Sequence, residues 1–125
     1  MKIKETALSL NVADPAASAE FAVRHFGFTE AMSAEGFVSL AHPTAGANVV
    51  FLKTGLPTFK PASIAGPAGQ GMLIAFVVDD LDAEYARISA DGATVVTPPE
   101  TEPWGERFCQ FADPNGIVWQ LVQWV

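Results

Sequence analysis

Cysteine, histidine and positive charge are all scarce in this chain of 125 residues. It has one cysteine, Cys109, so an intramolecular disulfide is excluded and a reducing, cytoplasmic setting is expected. Seven basic residues face fourteen acidic ones, for a net charge of -7. That balance excludes a nucleic-acid surface or an anionic membrane as partner. The acidic side chains are scattered, as solubility requires. No run approaches the roughly 20 apolar residues that span a bilayer. The opening Met1-Lys2-Ile3-Lys4-Glu5 lacks the regions of a signal peptide, so export is not expected. There is no glycine-rich phosphate loop. Neither Cys109 nor Ser9 has a base or triad partner visible in the sequence.

What is present is apolar and repetitive. Half of the residues are hydrophobic, enough for one packed domain. Trp104 to Gln123 reads as strand, tight turn, strand, and Phe37 to Leu52 is a weaker echo. The echo extends further. Leu8 to Asp14 alternates apolar and polar residues, and Ile74 to Asp80 is its counterpart. Both end on an aspartate able to cap a helix, and Pro15 suits a first helical position. Helices are predicted over about Pro15–His25 and Leu81–Ala90, stopped by Gly27 and Gly92. Further strands are predicted at Thr29–Ser33, Phe37–Ala41 and Asn48–Lys53, then at Ala93–Thr97, Arg107–Ala112 and Ile117–Trp124. The order is β-α-β-β-β, twice, in an α+β fold. Module one spans about 1–54 and module two about 71–125. Between them, about 55–70 is a linker rich in Gly, Pro, Ala and Ser, with Phe59 and Ile64 available to pack over a cavity.

Three ordered motifs carry a family resemblance. They are Leu10-Asn11-Val12-Ala13-Asp14-Pro15 leading to Phe26-Gly27-Phe28, then Phe76 to Asp82, then Asp113-Pro114-Asn115-Gly116 before Gln120-Leu121. With them the chain resembles the vicinal oxygen chelate superfamily of glyoxalase I, ring-cleaving dioxygenases and the fosfomycin and bleomycin resistance proteins. The resemblance implies two modules whose curled mixed sheets enclose a cleft. It also implies a homodimer.

Enzymes of that family hold a divalent metal at up to four strand positions. Counted from Asp14, Gly46, Asp80 and Gly116, these fall on Ala7, Val50, Leu73 and Gln120. Three are aliphatic and offer no lone pair. Gln120 alone cannot make a site, since even open catalytic sites use about three protein ligands. Glu5 shares a strand face with Ala7 and is the one candidate for a displaced ligand. His25 at a helix end and His42 in a turn suit structural roles. The expectation is therefore no metal, no cofactor and no glyoxalase or dioxygenase chemistry.

Strand parity then defines the expected cleft. Ala7, Ser9 and Asn11 face it, with Asn48, Val50 and Leu52, then Leu73, Ala75 and Val77, then Val118, Gln120 and Val122. Leu8, Leu10 and Val12 should pack under a helix. Aliphatic walls with a few amides suit an organic ligand, although the same walls could simply pack on each other. The piece Trp104-Gly105-Glu106-Arg107 resembles pieces in metal-free antibiotic-binding members. Trp104 could stack on a planar ligand or cap the core. Arg107 could bind a ligand carboxylate or pair with Asp113 or Glu106. Glu5, Glu100 and Glu102 would serve as a general base only if buried. The expected function is a metal-free small-molecule binding protein that confers antibiotic resistance by sequestration. A superfamily enzyme, metal-independent or using a displaced site, is the alternative.

Overall fold

The computed structural model describes residues 1–68 and 70–125. It divides into two compact units, Met1–Gln70 and Gly71–Val125. In the first, β1 (Ala7–Val12), α1 (Pro15–Phe26), β2 (Thr29–Ala34), β3 (Phe37–Ala41) and β4 (Asn48–Lys53) follow in order. In the second come β5 (Leu73–Val77), α2 (Leu81–Ala90), β6 (Thr94–Thr101), β7 (Glu106–Ala112) and β8 (Val118–Trp124). The fold is α+β, with two β-α-β-β-β modules. The sheets are ordered β1-β4-β3-β2 and β5-β8-β7-β6. Each is mixed: the first strand runs parallel to the last, and the other pairs are antiparallel. Each sheet remains open, with edges at β1 and β2 or at β5 and β6. Among the described residues no helix is long and apolar enough to cross a membrane.

The helix boundaries follow from their caps. Asp14 Oδ1 accepts from the Ala17 N–H and Asp80 Oδ1 from the Ala83 N–H, at 3.3 and 3.1 Å. Gly27 ends α1 in the left-handed conformation, with its N–H donating to the Ala22 carbonyl. The α2 start has a further partner. Gln123 Oε1, on β8, accepts from the Leu81 N–H at 2.9 Å. Asp82 and Glu84 lie in the first turn of α2, where negative charge suits the dipole.

Each helix covers one sheet face. In module one Leu10, Val12, Phe21, Ala22, Leu40 and Phe51 are buried there. In module two Ile74, Leu81, Ile88, Phe111, Trp119 and Leu121 are. Each of these side chains larger than alanine stabilises by about 1.5–3 kcal/mol if fully withdrawn from water. Leu8 departs from expectation, being 49% exposed. The reason is placement: α1 lies mainly over β3 and β4, and β1 is at the sheet's edge.

Several boundaries differ by a residue or more, and two of the differences have a plain physical cause. β6 continues to Thr101, through Pro98 and Pro99. Proline is tolerated because β6 is an edge strand and its register slips between Val95 and Glu100. β8 begins at Val118, because the Ile117 N–H turns back to the Asp113 side chain.

The linker is held to module one. Both N–H donors of Asn11 Nδ2 go to it, to the Ile64 carbonyl at 2.6 Å and the Gly66 carbonyl at 2.8 Å. The Asn11 carbonyl also accepts from the Ala68 N–H at 2.9 Å. Ile64 is 54% exposed, so it does not close over a cavity as expected. Asn11→Ala should free this segment at a cost of about 1–2 kcal/mol. Limited proteolysis checks it: cleavage between residues 57 and 68 should quicken several-fold while cleavage elsewhere is unchanged.

Candidate ligand-binding site

The helix-free face of module two carries Leu73 and Gln120 of the expected site residues, but neither Arg107 nor Trp104. Alternation places Leu73, Ala75 and Val77 of β5 on it, with Val118, Gln120, Val122 and Trp124 of β8. From β7 it receives Phe108, Gln110 and Ala112. Leu73 and Val77 are half or more exposed. Across the middle runs one polar row. Ala75 pairs with Gln120, Gln120 with Gln110, and Gln110 with Thr97. Thr97 Oγ1 donates to Gln110 Oε1 at 2.8 Å, and Gln110 Nε2 donates to Gln120 Oε1 at 2.7 Å.

Gln110 and Thr97 were not among the residues expected in the site. The signal was available in the turn. Asp113 to Ile117 closes a hairpin in which Ala112 faces Val118, and that register sets Gln110 opposite Gln120.

The metal positions do not fit a metal. Ala7, Val50 and Leu73 stand on β1, β4 and β5 with no donor atom. Gln120 Oε1, the atom a metal would need, already accepts from Gln110. Among the described residues no three His, Cys, Asp or Glu are grouped to hold an ion. Glu5 is exposed, as is Glu100, so neither is a buried general base. His42 Nδ1 accepts from the Thr44 N–H at 3.1 Å, a turn role.

Arg107 takes a partner the sequence did not suggest. It has the parity of Cys109 and Phe111, so it lies on the face that α2 covers. Its Nε and one terminal nitrogen donate to the two carboxylate oxygens of Asp82, at 3.0 and 2.7 Å. The other terminal nitrogen donates to Thr101 Oγ1 at 3.0 Å. This bidentate hydrogen bonding holds the Asp82 carboxyl below its ordinary value and raises the guanidinium. The structural pairing is thus with Asp82, not Asp113 or Glu106, because helix capping at Asp80 sets Asp82 over β7. The guanidinium is turned from the Gln120 face.

Trp104 lies in the turn between β6 and β7 and is 67% exposed, so it does not cap the core. The turn is tied to the chain's end. The Val125 N–H donates to the Gly105 carbonyl at 2.9 Å, and Glu106 pairs with Trp124. Gly105 has φ +90, and a Cβ there would stand 2.9 Å from the Val125 carbonyl oxygen. No other residue fits that approach.

In module one, the corresponding face carries Ala7, Ser9, Asn48 and Val50, with Ala7 paired to Asn48 and Ser9 to Val50. Asn11 shares the parity, but its amide is engaged by the linker. A separate depression of about 660 Å³ lies by the α1 N-terminus and the β2–β3 turn, lined in part by Pro15, Phe37, Lys53 and Leu56. None of the expected site residues lines it.

Comparison with known proteins agrees with this architecture. An uncharacterized protein of Mycobacterium bovis is 35% identical over 95% of this chain and 84% of its own length. A glyoxalase/bleomycin resistance protein/dioxygenase from Nocardioides superposes with a TM-score of 0.80 at 27% identity, covering 100% of this chain and 85% of that one. TnmS3, an antibiotic binding protein from Streptomyces sp. CB03234, superposes with a TM-score of 0.75, also at 27% identity, over 100% and 99% of the two chains. The sequence pattern of the glyoxalase/bleomycin resistance protein/dioxygenase superfamily matches residues 2–121, and the chain belongs to that superfamily.

Proposed function

We propose that this protein is a metal-free small-molecule binding protein that captures an amphipathic, aromatic compound without turning it over. One observation carries the reading. The helix-free face of module two is apolar and crossed by an amide row, while three of the four positions that would hold a metal carry no donor atom and the fourth, Gln120, cannot make a site alone. Apolar walls supply affinity and sparse polar groups set orientation, which is how organic ligands are held. Likeness to an antibiotic binding protein supports it. Trp104, exposed on its turn, would add stacking. The apolar exposure of Leu73, Val77 and Val125 supports a homodimer, which light scattering would test.

Titration with bleomycin- and mitomycin-type compounds, followed by tryptophan fluorescence, is the test. A saturable signal at one ligand per site is expected. Trp104→Ala should weaken it about two- to twelvefold, matching an aromatic contact of about 0.5–1.5 kcal/mol. No saturable signal with any such compound would sink the reading. Elemental analysis separates the enzymatic alternative. The purified protein should carry well under one equivalent of Zn, Ni, Mn or Fe, and a stoichiometric metal would favour an enzyme.

A further inference from the structure

The hydrogen bonds of the amide row all run one way. Thr97 donates to Gln110, and Gln110 donates to Gln120. Thr97 has only one hydroxyl proton to give, and the Gln110 carbonyl oxygen receives it. The Gln110 NH2 group then meets the Gln120 carbonyl oxygen. What is left at the end of the row is the NH2 group of Gln120, which has no hydrogen-bond partner among the described residues. Around it stand Ala75, Val118 and Val122, which can neither donate nor accept through their side chains. Arg107, three residues before Gln110 on β7, is held by Asp82 on the opposite face.

We propose that the Thr97–Gln110–Gln120 row fixes Gln120 as a donor and selects ligands that bring a neutral carbonyl oxygen to it. The inference rests on the binding reading above and adds the ligand's chemistry. A neutral amide donor suits an uncharged carbonyl such as a ketone, quinone or amide. A carboxylate would meet no cation on this face and a net protein charge of -7. A ligand offering only donors would leave the Gln120 N–H groups unmatched, and unmatched donors discriminate strongly. Gln110 and Thr97 are positioning residues here, since they act through Gln120.

Three tricyclic probes of nearly one shape test this. Fluorenone offers a carbonyl, carbazole offers an N–H, and fluorene offers neither. Each is titrated against the whole protein by tryptophan quenching. The expected order is fluorenone tighter than fluorene by about five- to tenfold, with carbazole no better than fluorene. Gln120→Leu should erase the fluorenone advantage and leave fluorene binding within about twofold. Gln110→Glu is the sharper variant. A carboxylate cannot donate to Gln120, so the Gln120 NH2 group must turn inward and its carbonyl outward. Preference should then pass to carbazole, a reversal that mere loosening of the sheet would not give. Cooperative unfolding of each variant confirms that it is folded, and the wild-type order needs no variant at all. Equal binding of fluorenone and fluorene by the wild type would overturn the donor assignment while leaving the binding reading intact. Failure of all three to bind would overturn the ligand chemistry proposed here, while the binding reading itself stands or falls on the bleomycin- and mitomycin-type titration.

Discussion

Asp113→Ala should destabilise module two by about 3–5 kcal/mol. Its side chain is 5% exposed and organises the whole turn between β7 and β8. Oδ1 accepts from the Asn115 and Ile117 N–H groups at 2.9 and 3.0 Å, and Oδ2 accepts from Trp119 Nε1 at 3.2 Å. Trp119 is fully buried and Ile117 is 8% exposed, so water cannot replace the lost acceptor. Hydrogen bonds to a charged group are worth about 1.5–3 kcal/mol each, and those of one network do not simply add. Urea unfolding followed by tryptophan fluorescence measures the loss. Asp113→Asn keeps one acceptor oxygen and should lose only about 1–2 kcal/mol. If Asp113→Ala costs under 1 kcal/mol, the turn is held by its backbone, and the side chain is incidental.

Cys109 should be almost inert in the native protein. It is fully buried on β7 beneath α2. Burial pushes its thiol up to about 11, and the nearby Asp82 charge adds to this. A backbone hydrogen bond from Leu121 and the Arg107 charge oppose the rise and are outweighed. At pH 8 only about one thiol in a thousand would be thiolate, against roughly a tenth of a cysteine with the ordinary value of 9.0. Reaction with an aromatic disulfide reagent should therefore be at least about 90-fold slower than in denaturant. Native reactivity within tenfold of the unfolded rate would show that β7 opens readily. The same shift has a stability consequence. A thiol pKa raised by folding contributes fully below the unfolded value of about 9, and that contribution fades as pH rises through about 11. Unfolding should become easier across that window by about 2–3 kcal/mol, and Cys109→Ala should remove the slope.

The scaffold was legible because its signals are local. Asp14 and Asp80 cap, Gly27 stops a helix, and period-two alternation marks β7 and β8. The aliphatic side chains of Ala7, Val50 and Leu73, at positions the family resemblance marks for a metal, were also plain in the sequence. What escaped was pairing between elements distant in the chain. Arg107 meets Asp82 across 25 residues, and Asn11 meets the Ile64 and Gly66 carbonyls across more than 50. Nothing in the local pattern around Arg107 or Asn11 encodes those partners. Gln110 lay between the two cases. It sat one strand from Gln120 in a hairpin whose register could be counted, yet an isolated glutamine among apolar residues draws no notice.

The sheet order also sets a sequence of assembly. In each module the last three strands form a meander whose neighbours lie close in the chain. The first strand instead joins the last: Ala7 meets Asn48, and Leu73 meets Val118. Closing so long a loop carries an entropic cost that the short hairpins avoid. The meander and its helix should therefore fold first, and β1 and β5 should dock afterwards. Like β2 and β6 they have one neighbour each, so these edge strands should exchange their amide hydrogens before the central ones in the native state. The first strand of each module to leave the ribosome waits for the last before it has a hydrogen-bonding neighbour in its sheet.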